Sequence, residues 1–337
     1  MKKTLLFLLC SFLLWSCGSD KLRVDVSDIQ TPPLELKRLE KDLFSLTATD
    51  FDARNARLQQ TYGAFYDHYI MGFLNRKGSR DSLYKTKVLP FLQDKDVSGA
   101  YQMTKTLYPD DKVQALLEEV NNMVKRFKYH FPDNSLPKRL ITCTSGWNYA
   151  FAYMDSNLVV SLDMYLGDTA IYYQMLRYPQ YQTRKMNSDY ILPDIARGWL
   201  LTEFDNNESE NTLLHHTIFY GKLFYAVNAL LPEEQDSVII GYTAPQMKYC
   251  YTYEKKLWGY FAEKNRLFEN NLTTVRELTS EGPFTGAISR ECPPRIAMWI
   301  GWRIVKSYME NNPKVTLQQL MQEQNPQVIL NKSKYRP

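Results

Sequence analysis

The sequence predicts an α+β fold, mainly α-helical, with a small, mostly antiparallel sheet at about residues 139–165 between two helical halves. Three observations carry this. Apolar residues recur at three- and four-residue steps before residue 130 and again after residue 190. Short runs rich in β-branched residues lie between those stretches. Within them the turn tripeptide Asp155-Ser156-Asn157 separates two apolar runs, as in a hairpin.

The chain opens with Lys2 and Lys3 and an apolar stretch from Leu5 to Leu14, broken only by Cys10 and Ser11. That stretch is far shorter than the ~20 residues that span a bilayer as a helix, and it reads as an export signal. Leu14-Trp15-Ser16-Cys17-Gly18 follows and resembles a lipobox, although Trp15 stands where a small residue is usual. The expectation is a signal peptide over 1–16, lipid on Cys17, and a polar tether over 17–33 that ends at Pro32-Pro33. One globular domain over 34–337 completes the chain. Asp20 followed by Lys21 leaves open which face of a membrane the protein occupies.

Leu36, Leu39, Leu43 and Phe44 share one face of a first expected helix. Phe51 to about Leu74 carries Leu58, Tyr62, Phe65, Tyr69 and Phe73 in the same rhythm, and Val113 to Phe127 repeats it. Arg139 to Thr144, Tyr149 to Met154 and Leu158 to Leu162 read as strands, with Ser145-Gly146-Trp147 and Leu166-Gly167-Asp168 in loops. Pro193 suits the first turn of a helix running to about Phe204. Asn211 is the expected cap of a helix from Thr212 to Leu231, stopped by Pro232. Ala244 to Glu263 reads as another helix. Pro293-Pro294 opens one containing Ile296, Trp299, Ile300, Ile304 and Tyr308, and Thr316 to Gln322 is a last short one.

Composition narrows the function. The formal charge of +4 falls to about +2 once Lys2 and Lys3 leave, and no basic stripe interleaved with aromatics suggests nucleic acid. The four histidines are His68, His130, His215 and His216, and no pair has the HExxH spacing. Adjacent His215 and His216 point about 100° apart on a helix. Ser145-Gly146 lacks the flanking glycine of a nucleophile elbow, and no glycine pattern cradles a phosphate. Cys143, Cys250 and Cys292 remain after processing and read as buried apolar side chains; at most one disulfide can join two of them. Asp155 and Asp163 flank a strand without evidence of a shared cleft. No cofactor is expected.

Thr144-Ser145-Gly146-Trp147-Asn148-Tyr149, Leu162-Asp163-Met164-Tyr165-Leu166-Gly167 and Phe219-Tyr220-Gly221-Lys222-Leu223-Phe224-Tyr225 resemble the gliding-motility lipoprotein GldB family of the Bacteroidetes. Tyr178-Pro179-Gln180-Tyr181 and the run from Pro294 to Val305 do so too, and the resemblance covers Leu34 to Leu330. It implies a lipid-anchored envelope protein, expected at the outer membrane. Its partners would be the membrane and other gliding or type IX secretion proteins. The family is in turn distantly similar to gluzincin-like zinc peptidases. That similarity places Pro193-Asp194-Ile195-Ala196-Arg197 where HExxH would stand and Tyr220-Gly221 where the third ligand would stand. A guanidinium cannot serve as such a ligand, so the resemblance implies a degenerate zincin-like scaffold without its metal and without catalysis. A groove beside the edge strand would survive to bind an extended peptide, lined by Trp147, Tyr165, Arg197 and Tyr220. Each of those four residues also reads as ordinary packing. The alternatives are a zinc-dependent peptidase-like hydrolase and a peptide- or glycan-binding lipoprotein. Asp81-Ser82-Leu83, Asp168-Thr169-Ala170 and Asp236-Ser237-Val238 match a Bacteroidetes O-glycosylation pattern, which makes Ser82, Thr169 and Ser237 candidates.

Overall fold

The computed structural model describes residues 22–73, 78–81, 83–204 and 212–337. Cys17, Ser82 and Asn211 lie outside them. The first element is β1 (Glu35–Arg38), followed by α1 (Leu39–Phe44), α2 (Phe51–Tyr62), α3 (Ala64–His68), α4 (Tyr84–Gln93), α5 (Lys95–Leu107) and α6 (Asp110–His130). Three strands come next: β2 (Arg139–Cys143), β3 (Phe151–Met154) and β4 (Asn157–Ser161). The second helical half begins with α7 (Ile171–Met175), α8 (Gln180–Thr183), α9 (Ile191–Glu203), α10 (Leu213–Leu230) and α11 (Asp236–Ile240). It ends with α12 (Ala244–Thr252), α13 (Glu254–Ala262), α14 (Leu272–Thr279), α15 (Ile296–Asn311), α16 (Leu317–Gln322) and α17 (Pro326–Ser333).

The sheet separates two apolar cores, because successive side chains on a strand point to opposite faces. Leu140, Leu158 and Val160 join the larger core, with α6, α9, α10 and α15. Ile141, Cys143 and Val159 join a smaller one built on α1 to α4. Coverage on both faces explains why every residue of β4 is buried.

The mainly helical α+β class holds, but the pairing within the sheet corrects the expectation. The strand order is β1-β2-β4-β3. Both β1–β2 and β2–β4 are parallel, and only β3–β4 is antiparallel. The hairpin itself forms as expected, on a two-residue turn with Asp155 at φ 51 and Ser156 at φ 60, and Asn157 already belongs to β4. What the pattern concealed is that β4 inserts beside β2 and leaves β3 at the rim.

β1 is a second correction, because Leu36 was expected on a helix. Its register sets Glu35 against Arg139 and Leu36 against Leu140. The Arg139 guanidinium meets the Glu35 carboxylate at 2.9 Å. At the end of β1 the buried Glu40 carboxylate accepts from Arg38 at 2.6 Å and from Thr142 at 2.7 Å, tying α1 to β2. Helical spacing begins only at Leu39 and Leu43, both fully buried.

Two expected long helices are divided. The one from Phe51 breaks at Gly63, whose φ of 60 suits glycine, and the one from Ala244 breaks at Tyr253. Thr212 caps α10 by accepting from the amide of His215 at 3.2 Å. Pro293-Pro294 stand outside α15, which begins after Arg295 in a left-handed conformation at φ 55. Arg295 is held there by its buried guanidinium, which donates to the Ile240 carbonyl at 2.7 Å.

Helices α10 and α15 pack backbone against backbone. A Cβ added at Gly301 would stand 1.8 Å from the Thr217 carbonyl oxygen, and one at Gly221 would stand 2.3 Å from the Gly301 oxygen. The two glycines let the helix backbones touch, and Trp299 and Trp302 are buried alongside.

Candidate functional site

The loop after β2 is built around a buried carboxylate. Gly146 at φ 64 and Trp147 at φ 61 are consecutive left-handed residues, and they turn their amides inward. Asp163 accepts from the amides of Ser145 at 3.0 Å and Trp147 at 2.9 Å. Burial pushes its carboxyl up to about 6, against the pull of those backbone donors. The Ser145 hydroxyl donates to the Tyr149 carbonyl at 3.0 Å and accepts from the amides of Asn148 and Tyr149. It is thus a turn-forming hydroxyl rather than a poised nucleophile. Asp155 lies elsewhere, in the hairpin turn, 3.1 Å from His68.

Beside this loop a cavity of ≈250 Å³ opens at the Ala150 end of β3. Helix α9 brings Asp194 and Arg197 to it, one turn apart. Tyr165 donates to Asp194 at 2.8 Å, and Arg197 forms an ion pair with the other oxygen of the same carboxylate. Burial first, and then Asp194, raises the Tyr165 hydroxyl well above its ordinary range, so it is a hydrogen-bond donor at neutral pH. Across the cavity Lys185 and Glu281 pair at 2.7 Å, and Arg295 reaches Glu281 at 3.2 Å. Burial works to raise the Glu281 carboxyl, but Arg295 and Lys185 outweigh it and hold it below the usual range. The cavity therefore offers two buttressed ion pairs and a fixed phenol, an arrangement suited to orienting a bound polar group.

Of the four residues expected to line a groove, Tyr165 and Arg197 meet here. Trp147 is one step removed: its ring stacks on Tyr172 at 5.4 Å, and its carbonyl accepts from Tyr178, which lines the cavity. Tyr220 is not brought to the cavity. It sits on α10 against Phe219, and the neighbouring Gly221 faces α15. Helices α9 and α10, which carry the segments 193–197 and 220–221, pack against each other, but only the first of these segments lines the cavity. Tyr178 belongs to one of the runs that carry the family resemblance, whereas Lys185 and Glu281 had no signal in the sequence.

The remaining candidates are placed as follows. Cys143, Cys250 and Cys292 are buried free thiols, and burial pushes that of Cys292 up to about 12. Among the described residues no three His, Cys, Asp or Glu side chains converge as a metal site requires. Thr169 is exposed in the turn from Gly167 to Ala170. Ser237 is half-buried in α11, and the adjacent Asp236 pairs with Lys306 at 2.7 Å.

These features define a mainly helical α+β protein with a polar cavity at the rim of a covered sheet, and among the described residues no helix is long and apolar enough to cross a membrane. The chain belongs to the family of the gliding motility protein GldB, whose model matches residues 19–337. Membership makes it a gliding-motility lipoprotein. No curated protein and no solved structure matches it.

Proposed function

We propose that this lipoprotein is a non-catalytic component of the gliding and type IX secretion machinery, held at the outer membrane through lipid on Cys17. It receives an extended segment of a partner protein along β3. The observation that supports this reading is the position of β3 at the end of the sheet, with the cavity at its Ala150 end. A rim strand has backbone donors and acceptors that an added strand can pair, and a neighbouring pocket then selects one side chain. Arg197 and Tyr165 suit an acidic or amide side chain there. A hydrolytic reading is less well supported, since the hydroxyl of Ser145 is committed to its own turn and the Cys143 thiol is buried.

A photo-crosslinking amino acid in place of exposed Tyr149, in the full lipoprotein within its own envelope, tests the reading. A discrete crosslinked partner that Arg197→Glu abolishes is expected. Crosslinking that ignores Arg197→Glu would refute the site. Stoichiometric zinc, lost to a chelator together with peptidase activity, would refute the non-catalytic role.

A further inference from the structure

We infer a second binding site, independent of the cavity at β3, for a small phosphorylated sugar, free or as the headgroup of a lipid. A cavity of ≈500 Å³ lies between α15, the junction of α12 with α13, and the last residues of the chain, and shares no lining residue with the first. That volume falls within the roughly 300–1,000 Å³ usual for small-molecule pockets.

Its outer wall is fastened rather than draped. Ser307 and Asn311 on α15 donate to the Ser333 carbonyl at 2.8 and 2.9 Å, and Asn312 donates to the Lys332 carbonyl at 3.1 Å. Lys334 then turns the chain through a left-handed conformation at φ 53. Tyr335 thereby enters the core and donates to Glu254 at 2.7 Å.

The charges are uneven. Five cationic side chains line the cavity, against the carboxylates of Glu254 and Glu310. Arg303 is committed to Glu254 at 2.7 Å, and Lys306 to Asp236 at 2.7 Å, with its ammonium 4.0 Å from the Trp302 ring centroid. Lys255, Lys334 and Arg336 are exposed, and no ion pair engages them among the described residues. Three unspent cations around one polar opening favour an anion with more than one charged group. Thr252 presents a hydroxyl to the same walls, and those of Ser307 and Tyr251, which donate to the Ser333 carbonyl at 2.8 Å and to Asp236 at 3.5 Å, keep lone pairs that can accept from a ligand rich in hydroxyls.

The test uses the full chain in neutral detergent, titrated calorimetrically with glucose 1,6-bisphosphate, glucose and inorganic phosphate. The bisphosphate is expected to bind with a sub-millimolar Kd and more tightly than either control. Lys255→Gln combined with Lys334→Asn should weaken it at least about tenfold, with an unchanged melting temperature in the absence of ligand. Asparagine tolerates the left-handed position, so this pair leaves the wall intact. Competition by micelles doped with phosphatidylinositol 4-phosphate would assign the ligand to a lipid headgroup, and lack of competition to a soluble sugar phosphate. Equal binding of glucose, no binding of the bisphosphate, or affinity indifferent to the double substitution would overturn the site. Arg197→Glu is expected to leave this binding unchanged, which separates it from the site at β3.

Discussion

Gly301→Ala is the sharpest test of how the two longest helices of the second half meet. The added methyl would lie 1.8 Å from the Thr217 carbonyl oxygen, whereas ordinary contact begins at 3.4 Å. The obstacle is backbone, so no rotamer change relieves it, and α10 and α15 must move apart. Overpacking of this kind costs about 1–3 kcal/mol, occasionally more. A second loss comes from loosened contacts around buried Trp299 and Trp302. The better helix propensity of alanine returns about 1 kcal/mol. The net expectation is a destabilisation of about 2 kcal/mol, or a fall in melting temperature of roughly 3 °C for a domain of this size. Urea unfolding followed by tryptophan fluorescence measures it, and Gly259→Ala is the control, because nothing lies within 4 Å of a Cβ there. A Gly301→Ala protein as stable as the parent would refute the close contact and the packing derived from it.

Two further predictions concern buried ionisable groups. Burial and then Arg126 lower the His130 imidazole from 6.5 to about 4. The unfolded chain therefore binds the extra proton first, and stability contributed above pH 6.5 is lost as pH falls toward 4, by about 3 kcal/mol in all. His130→Phe should flatten this part of the profile in urea unfolding between pH 7.5 and 4.5, and an unchanged slope would contradict it. Burial lowers Lys222 from 10.5 to about 8, although its ammonium donates to the carbonyls of Met321 and Glu323. Here the neutral form is favoured in the fold, so stability rises between pH 8 and 10.5, relative to Lys222→Met, by about 3 kcal/mol. Parallel profiles for the two proteins would contradict that assignment.

The sequence made some of this structure legible and hid the rest for identifiable reasons. Helix α6 was evident because an apolar stripe from Val113 to Phe127 runs along one face over several turns. The β3–β4 hairpin was evident because its turn is local, and Asp155 and Ser156 accept positive φ. β1 was missed because four residues offer little periodicity and their partner lies a hundred positions away. The parallel pairings were missed for the same reason, since spacing along a chain does not say which strand inserts between which. At the cavity, Tyr165 and Arg197, 32 positions apart, share walls with Lys185 and Glu281, which the sequence did not single out. Charged residues are frequent on any surface, and only the folded chain shows which of them share a wall. Tyr220 does not line this cavity, and its place on α10 was not legible because that helix is apolar nearly all round and gives no cue to orientation.

The pairing of Glu35 with Arg139 also bears on how the protein is made. Synthesis delivers β1 long before the strand that completes it. At about 5–20 residues per second the ribosome leaves it waiting for several seconds, far longer than a helix such as α6 needs to form. During that interval the amides and carbonyls of the first strand are bonded only to water and open to any other extended chain nearby. Shortening the distance between the two strands by circular permutation should therefore speed the pairing, because less loop-closure entropy stands before it.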